Sequence, residues 1–357
     1  MPHVRLVAKL RACGIDGKIL RWIQEWLSDR KQRVVLNGKA SKWTSVLSGV
    51  PQGSVLGPIL FIVYINDIDD ATPFMDFLSK FADDTKAVRV LLSEDDQINM
   101  QADINALVEW SDRWQMTFNA DKCKIMHIGK SNPGYNYTMG GHAPAGVVLG
   151  ESQVEKDLGV LVHNSLKPSQ QCAAAAKKAN MMLGRMARSL SYRDKDTWIK
   201  LYRIYVRPHL EYCVQAWSPW TVADIDLLEN VQKRAVRMTS GLKGATYEEK
   251  LTELGLMSLA DRRTRGDMIE TWKIFNDKGH WNDCDILKKC SDHSVRVTRG
   301  SSNQALTKDK SSLDIRANFF TNRVVKPWNS LPLSVKSASS VVSFKAAYDN
   351  KVLKIRN

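Results

Sequence analysis

The sequence has no apolar stretch long enough to cross a membrane. Its longest apolar run, Val55 to Ile68, is shorter than the roughly 20 residues that a bilayer span requires. Arg5, Lys9 and Arg11 interrupt any apolar core of a signal peptide near the first residue. We therefore expect an intracellular protein that does not contact a membrane.

Cysteine is scarce, and its positions are scattered. The six cysteines stand at positions 13, 123, 172, 213, 284 and 290. Such usage is typical of reduced thiols rather than of a disulfide framework. Zinc binding by Cys284, Cys290 and His293 is a weaker alternative, because their spacing fits no standard pattern and a fourth ligand is missing.

Acidic residues are scarce in the last part of the chain. The net charge is +14, and residues 286–357 carry 14 Lys and Arg against four Asp and Glu. Residues 1–150 are nearly balanced, with 17 basic residues against 16 acidic ones. A basic tail can follow a phosphate backbone. A solvated tail without a binding role is the open alternative.

Two adjacent carboxylates, Asp83 and Asp84, stand between apolar segments. The flanks, Phe77 to Phe81 and Ala87 to Val90, predict two short strands of a buried hairpin with the acids at the tight connection. Like charges about 4 Å apart repel by about 4 kcal/mol at an effective dielectric near 20. A cation usually neutralises such a pair, and Mg²⁺ suits the role because it takes one or two carboxylates and keeps positions for water and phosphates. Taken alone, the pair is also compatible with ordinary turn residues.

A second motif lies upstream, where Gly49-Val50-Pro51-Gln52-Gly53-Ser54 precedes the apolar run. Together with Phe81-Ala82-Asp83-Asp84, it resembles the reverse transcriptase of non-LTR retrotransposons, most of all the jockey-type long interspersed elements. In that family both motifs belong to the polymerase palm. The resemblance covers most of the chain.

The resemblance implies roles for individual residues. Asp83 and Asp84 are expected to be catalytic and to bind Mg²⁺ in a two-metal site, while Pro51, Gln52 and Gly53 are expected to contact the template strand and the nascent base pair. The small residues of this loop let another molecule approach its backbone closely. Gln52 offers both a donor and acceptors.

Lys122 is the third candidate site residue. It stands in a predicted turn, residues 119–124, and the resemblance places a lysine of this turn near the departing pyrophosphate. An ammonium group can stabilise charge that builds up on a leaving phosphate. An ordinary surface lysine remains the alternative, and Lys124 is the neighbour that could take the role instead.

The predicted fold class is α+β. We expect a partial polymerase palm over residues 1–165, in which helices pack on an antiparallel sheet. A helical, thumb-like region over 166–276 and a basic C-terminal segment over 277–357 follow. Hydrophobic periodicity predicts helices over the ranges 15–29, 54–65, 95–114, 169–190, 195–206, 223–239 and 259–276. Asn37-Gly38 predicts a hairpin turn.

Few acids precede the Gly-Val-Pro-Gln-Gly motif. Asp16, Glu25 and Asp29 are the only ones before residue 48, and all lie on or beside the first predicted helix. Two-metal phosphoryl transfer needs carboxylates from separate strands. We therefore expect the Mg²⁺ site to be incomplete in this chain, and the chain alone to be inactive as a polymerase.

The partners implied by the resemblance are an RNA template, a DNA primer and deoxynucleoside triphosphates. Two alternatives stay open, a non-catalytic nucleic-acid-binding remnant that uses the basic tail and a decayed remnant that folds poorly. The sequence does not indicate an oligomeric state.

Overall fold

A computed structural model describes residues 1–140, 146–276, 287–288 and 304–352. The chain divides into two compact units, Met1–Gln153 and Val154–Asn357. Helices and short strands alternate in the first unit, and helices dominate the second. This mixture agrees with the predicted α+β class.

The first unit contains four helices and ten strands among its described residues. In chain order they are α1 His3–Ala12, α2 Gly17–Leu27, β1 Lys31–Gln32, β2 Val35–Leu36, β3 Lys39–Ala40, β4 Thr44–Ser45, α3 Leu56–Ile65, β5 Phe77–Phe81, β6 Asp84–Val88, α4 Glu94–Trp114, β7 Lys124–Ile125, β8 Thr138–Met139, β9 Val147–Val148 and β10 Gly150–Glu151. A 3₁₀ helix, Asn66–Ala71, continues directly from α3.

The described strands form separate pairs instead of one wider sheet. The pairs β1–β4, β2–β3, β5–β6 and β8–β9 are antiparallel, and β7–β10 is parallel. Asn37 and Gly38, both with positive φ, form the predicted turn between β2 and β3. Across this turn β2 pairs with β3, while the next strand, Thr44–Ser45, pairs with β1.

Helices α1 to α4 enclose the main core of the first unit. In α2, Leu20, Ile23 and Leu27 recur at helical spacing and are buried. Trp22 lies on the outer side of the same helix and is 58% exposed. It stacks on Trp26, with ring centroids 6.1 Å apart.

The second unit begins with a hairpin and continues as helices. Its elements are β11 Val154–Asp157, β12 Val160–His163, α5 Ser169–Ser189, α6 Lys195–Leu201, α7 Arg207–Glu211, α8 Val214–Trp217, α9 Val222–Arg237, α10 Tyr247–Glu253, α11 Leu259–Asn276, α12 Asp314–Ala317, α13 Phe320–Arg323, α14 Val325–Asn329, α15 Leu333–Lys336 and α16 Val341–Lys351. Tyr202–Val206 continues α6 as a π-helical turn.

The second unit has two apolar clusters. In the first, α5 presents a stripe of small and aliphatic side chains, including Ala179 and Leu183, to α9. In the second, Trp328 and Phe344 pack with Trp272 of α11. The described part of the basic C-terminal segment is therefore folded against α11.

Candidate functional site

The acidic pair lies on a two-stranded hairpin, as its flanks predict. Phe81 pairs with Asp84 across β5 and β6, which leaves Ala82 and Asp83 as the two-residue connection. Ala82 has a φ of 52°, in the left-handed region that costs an L-residue about 1–2 kcal/mol. Asp84 is the first residue of β6, so both carboxylates lie at the tip.

The hairpin is exposed, and the prediction of a buried one is wrong. Phe77 and Phe81 are 55% and 62% exposed, and both aspartates are exposed as well. The described residues form only two strands here, and the face that carries Phe77 and Phe81 is open to solvent. Leu78, on the other face, packs against the core of α1 to α4.

Lys80 connects the hairpin to the end of α3. Its Nζ donates hydrogen bonds to Asp69 Oδ2 at 2.7 Å and to the Asn66 carbonyl oxygen at 3.1 Å. Lys80 alternates with Phe81 along β5 and therefore shares a face with the core-packed Leu78. This contact fixes the base of the hairpin against the 3₁₀ helix.

A buried lysine holds the same 3₁₀ helix from the other side. Lys9 of α1 is 5% exposed, and its Nζ donates to Asp67 Oδ1 and to the Tyr64 carbonyl oxygen, both at 2.5 Å. The Nζ also lies 3.9 Å from the ring centroid of Trp114. Burial lowers the pKa of Lys9, and the hydrogen bond with Asp67 opposes that shift. Asp67 and Asp69 of this 3₁₀ helix thus each pair with a lysine.

The loop 48–53 is held at its Gly49 carbonyl. Arg30 Nη2 donates to this oxygen at 2.8 Å, and His3 Nε2 lies 2.9 Å from it. The Gly49 amide donates to the Met1 carbonyl oxygen at 2.8 Å. These contacts join the loop to α1 and to the end of α2.

The far end of the loop is open and leads into α3. Gln52 and Gly53 are exposed, and a Cβ on Gly53 would meet no atom within 4 Å. Ser54 Oγ accepts a hydrogen bond from the Gly57 amide at 3.0 Å, which satisfies an amide in the first turn of the helix. A Cβ at Gly57 would lie 2.8 Å from Ser54 Oγ and 3.1 Å from the Pro51 carbonyl oxygen, so the turn needs glycine there.

The helix that follows, α3, is buried on one side only. Leu60 and Tyr64 of α3 are buried in the core. Ile59 and Ile62, on the opposite side, are 53% and 56% exposed. An apolar composition therefore did not determine how much of this helix is covered.

Lys122 lies on the predicted turn. The amides of Lys122 and Cys123 donate to the Asn119 carbonyl oxygen at 3.0 and 3.2 Å, and the lysine side chain is exposed. The strand that follows is Lys124–Ile125. Among the described residues, no hydrogen bond or ion pair joins Lys122 to Asp83 or Asp84.

The three candidate segments share one helical support. Val50 of the loop and Leu78 of the hairpin pack against the cluster that α3 and α4 contribute to. Cys123, beside Lys122, packs against a second cluster that contains Met100 and Ile104 of α4. Segments far apart in sequence are thus attached to clusters that both include residues of α4.

The acidic pair offers a donor set that suits a hard cation. Two carboxylates on adjacent residues are the ligands that Mg²⁺ takes, and their exposure leaves room for water and phosphate oxygens. Within the described residues, no group of three or more His, Cys, Asp and Glu side chains is arranged to hold a metal ion. Cys284, Cys290 and His293 lie outside the described residues.

A basic face runs along α5 in the second unit. Lys177, Lys178, Arg185 and Arg188 are exposed, whereas Ala179 on the other side is fully buried. This arrangement presents four positive charges to solvent on one helix, which suits contact with phosphates.

Sequence reasoning missed the residues that hold the site in place. Lys9, Arg30 and Lys80 each contact a group at least 11 positions away in sequence. The alternation of β5 was a usable signal for Lys80 alone, because it puts this lysine on the same face as Leu78.

Comparisons with known proteins point to one family. Residues 1–178 match the family described as reverse transcriptase (RNA-dependent DNA polymerase). The RNA-directed DNA polymerase from the mobile element jockey of Drosophila melanogaster is 24% identical over 61% of this chain and 25% of its own length. The corresponding Drosophila funebris protein is 24% identical over 67% of this chain and 27% of its own length. A probable RNA-directed DNA polymerase from transposon X-element of Drosophila melanogaster is 26% identical over 67% of this chain and 26% of its own length.

The chain therefore spans about a quarter of the length of these curated relatives. Across the part of the chain that the structure describes, no helix combines the length and apolar character that a bilayer crossing requires.

Proposed function

Because the chain belongs to the reverse transcriptase family through its residues 1–178, we propose that it forms part of the RNA-directed DNA polymerase of a non-LTR retrotransposon. The observation that carries the proposal is the placement of two motifs on one support. The Asp83-Asp84 hairpin is joined by Lys80 to the end of α3, and the loop 48–53 leads into the start of the same helix.

Asp83 and Asp84 are the proposed catalytic and metal-binding residues. They would hold Mg²⁺, which when bound stabilises negative charge on the transferring phosphate and activates the attacking hydroxyl. The exposed tip gives both carboxylates access to a nucleoside triphosphate. Lys80 and Leu78 keep the tip fixed relative to α3, and such preorganisation limits the motion of the carboxylates during reaction.

Pro51, Gln52 and Gly53 are the proposed template-binding residues. The exposed Gly53 leaves space above the backbone, so a base pair can approach it closely. Gln52 is exposed and can donate to or accept from a base or sugar. Lys122 is the proposed partner of the leaving pyrophosphate, since its exposed ammonium group can offset the charge that develops there.

Palm and thumb are the finer parts of the proposal. Residues 1–165 would form part of the palm, and the helices of 166–276 would act as a thumb whose basic face on α5 contacts the product duplex. Residues 277–357 would add salt-sensitive affinity through their positive charge. The partners are then an RNA template, a DNA primer and deoxynucleoside triphosphates.

The test compares two pairs of adjacent, exposed acids in the full 357-residue chain. The double variant Asp83→Asn/Asp84→Asn removes the proposed ligands, and Glu94→Gln/Asp95→Asn removes the same charge elsewhere. Mn²⁺ favours the same oxygen ligands as Mg²⁺ and can be followed by electron paramagnetic resonance. We expect the first variant to weaken Mn²⁺ binding at least about tenfold, with the control unchanged. Equal Mn²⁺ binding by both variants would refute the metal-binding role.

Two assays on an RNA–DNA hybrid separate the polymerase from a non-catalytic binding module. Magnesium-dependent primer extension that is lost with Asp83→Asn supports the polymerase. A different result favours the binding module: the chain binds the hybrid in a salt-dependent way, Asp83→Asn does not change that binding, and no primer extension is seen. No hybrid binding at low salt contradicts both functions.

A further inference from the structure

A buried arginine of α11 lacks a hydrogen-bond partner. Arg263 is 5% exposed, and its Nη1 is fully buried with no partner among the described residues. Burial also lowers the pKa of Arg263. A guanidinium group that is buried without an acceptor destabilises the fold, so its presence needs a compensating reason.

Arg263 lines a small pocket between α7, α8 and α11. The pocket has a volume of about 150 Å³, and it is also lined by Glu211, Val214, Gln215, Arg262, Arg265 and Gly266. A Cβ at Gly266 would lie 3.1 Å from Gln215 Nε2, so the glycine keeps this wall clear. Because a single water needs only about 10–15 Å³, the pocket has room for a tetrahedral oxyanion. It is smaller than the roughly 300 Å³ at which drug-sized ligands begin to fit.

The carboxylates around the pocket are already engaged by other arginines. These ion pairs join Glu211 to Arg262, Asp267 to Arg323 and Asp349 to Arg265. Glu229 is a further negative charge that acts on Arg263, and its oxygens accept hydrogen bonds from the Leu259 amide and the Tyr247 hydroxyl. Nearby carboxylates therefore balance the positive charge of Arg263, but among the described residues its Nη1 has no hydrogen-bond acceptor.

We propose that this pocket binds a single phosphate group, with Arg263 as its principal ligand. The planar guanidinium donates in a fork that matches two oxygens of a phosphate. The pocket size selects one phosphate without a base or sugar inside it. Inorganic phosphate and the terminal phosphate of a nucleic acid share this chemistry. The inference does not depend on the polymerase assignment, because every residue that carries it lies outside residues 1–178.

The test uses the full chain and inorganic phosphate as the probe. Isothermal titration at constant ionic strength, balanced with chloride, measures the Kd of the chain, of Arg263→Gln and of the control Arg21→Gln. Arg21 is an exposed arginine of α2, so the control removes the same charge away from the pocket. We expect Arg263→Gln to raise the Kd by about tenfold or more, and the control to leave it unchanged.

Thermal unfolding separates ligand loss from misfolding. In phosphate-free buffer, Arg263→Gln should still unfold cooperatively but at a lower temperature than the parent chain, because Glu229 and Asp267 lose a compensating positive charge. Added phosphate should then raise the unfolding temperature of the parent and of Arg21→Gln, but not of Arg263→Gln. Arg263→Lys keeps the charge without the fork and should bind phosphate with intermediate affinity.

Displacement by oligonucleotides identifies the source of the phosphate. Displacement of inorganic phosphate by a 5′-phosphorylated oligonucleotide, but not by its 5′-hydroxyl form, supports a nucleic-acid terminus. Phosphate binding that neither oligonucleotide disturbs supports free phosphate as the ligand. An equal response of the parent chain and Arg263→Gln to phosphate, or no phosphate binding by the parent chain, would overturn the proposal.

Discussion

The guanidinium of Arg30 donates a hydrogen bond to the carbonyl oxygen of Gly49 at 2.8 Å. Arg30 also donates from Nε to the Leu27 carbonyl oxygen at 3.2 Å, so one side chain joins the end of α2 to the loop 48–53. The loop carries the proposed template contacts at Gln52 and Gly53. Arg30 is therefore the proposed positioning residue of this loop, and it would act on the template only through the loop backbone.

We predict that Arg30→Gln loosens the loop without unfolding the first unit. Loss of a charge-assisted hydrogen bond from a half-buried side chain should cost about 1–2 kcal/mol. Hydrogen–deuterium exchange should rise in peptides that cover residues 48–53, and affinity for an RNA–DNA hybrid should fall. Arg11→Gln, an exposed control on α1, should change neither quantity. Unchanged exchange in the loop of Arg30→Gln would contradict the anchoring role.

Ala82 gives a second prediction, because it holds a left-handed conformation beside the acidic pair. Glycine adopts this conformation without a steric penalty, so Ala82→Gly should stabilise the hairpin by about 1 kcal/mol. Ala87→Gly in β6 is the matched control, and it should destabilise the hairpin by about 0.5–1 kcal/mol because the strand there has ordinary dihedrals. Amide exchange at β5 and β6 measures both effects. Two changes of the same sign would show that backbone strain at Ala82 is not released.

Local features of this fold could be predicted from sequence. Asn37-Gly38 and the periodicity of α4, α5 and α11 depend on interactions within a few residues, and each element lies where it was expected. In α4 the predicted range 95–114 differs from the observed start by one residue. The location of the acidic pair at a turn also follows from its flanks alone.

Features that depend on distant residues could not be predicted. Lys9 pairs with Asp67, 58 positions away, and neither residue carries a pattern that identifies the other. The exposure of Phe77 and Phe81 depends on what packs on the hairpin, which the alternation of a strand does not reveal. The short helices α12 to α15 span four or five residues each, too few to show a period. The roles of Asp83, Asp84 and Lys122 stay predictions.

The acid stability of the chain should depend on Asp96. This carboxylate accepts hydrogen bonds from the amides of Leu92 and Ser93 and from Arg89, which lowers its pKa from 3.8 to about 2. A carboxyl with a lowered pKa in the folded state stabilises the fold above its unfolded pKa and loses that contribution as the pH falls toward its folded value.

We therefore predict that the stability difference between the parent chain and Asp96→Asn shrinks as the pH falls from about 4 to about 2. Urea unfolding across this range measures the difference. Asp95→Asn, the exposed neighbour in the first turn of α4, is the control for the loss of one acidic side chain there. If the stability difference between the parent chain and Asp96→Asn stays constant with pH, the pKa of Asp96 is not lowered by folding.

The C-terminal helices supply the last prediction, because Trp328 of α14 is fully buried in the second unit. Its ring stacks on Phe275 of α11 with centroids 5.1 Å apart, and its Nε1 donates to the Gln304 carbonyl oxygen at 2.8 Å. Trp328→Ala should lower the free energy of unfolding by about 3–5 kcal/mol, since it leaves a cavity and an unpaired carbonyl. Phe319→Ala, at a side chain that is 48% exposed, should cost less than about 1 kcal/mol. Urea unfolding followed by tryptophan fluorescence and far-UV circular dichroism measures both variants. Equal, small losses would show that residues 304–352 contribute no core to the second unit, whereas a large loss for Trp328→Ala alone makes the basic segment part of its folded body.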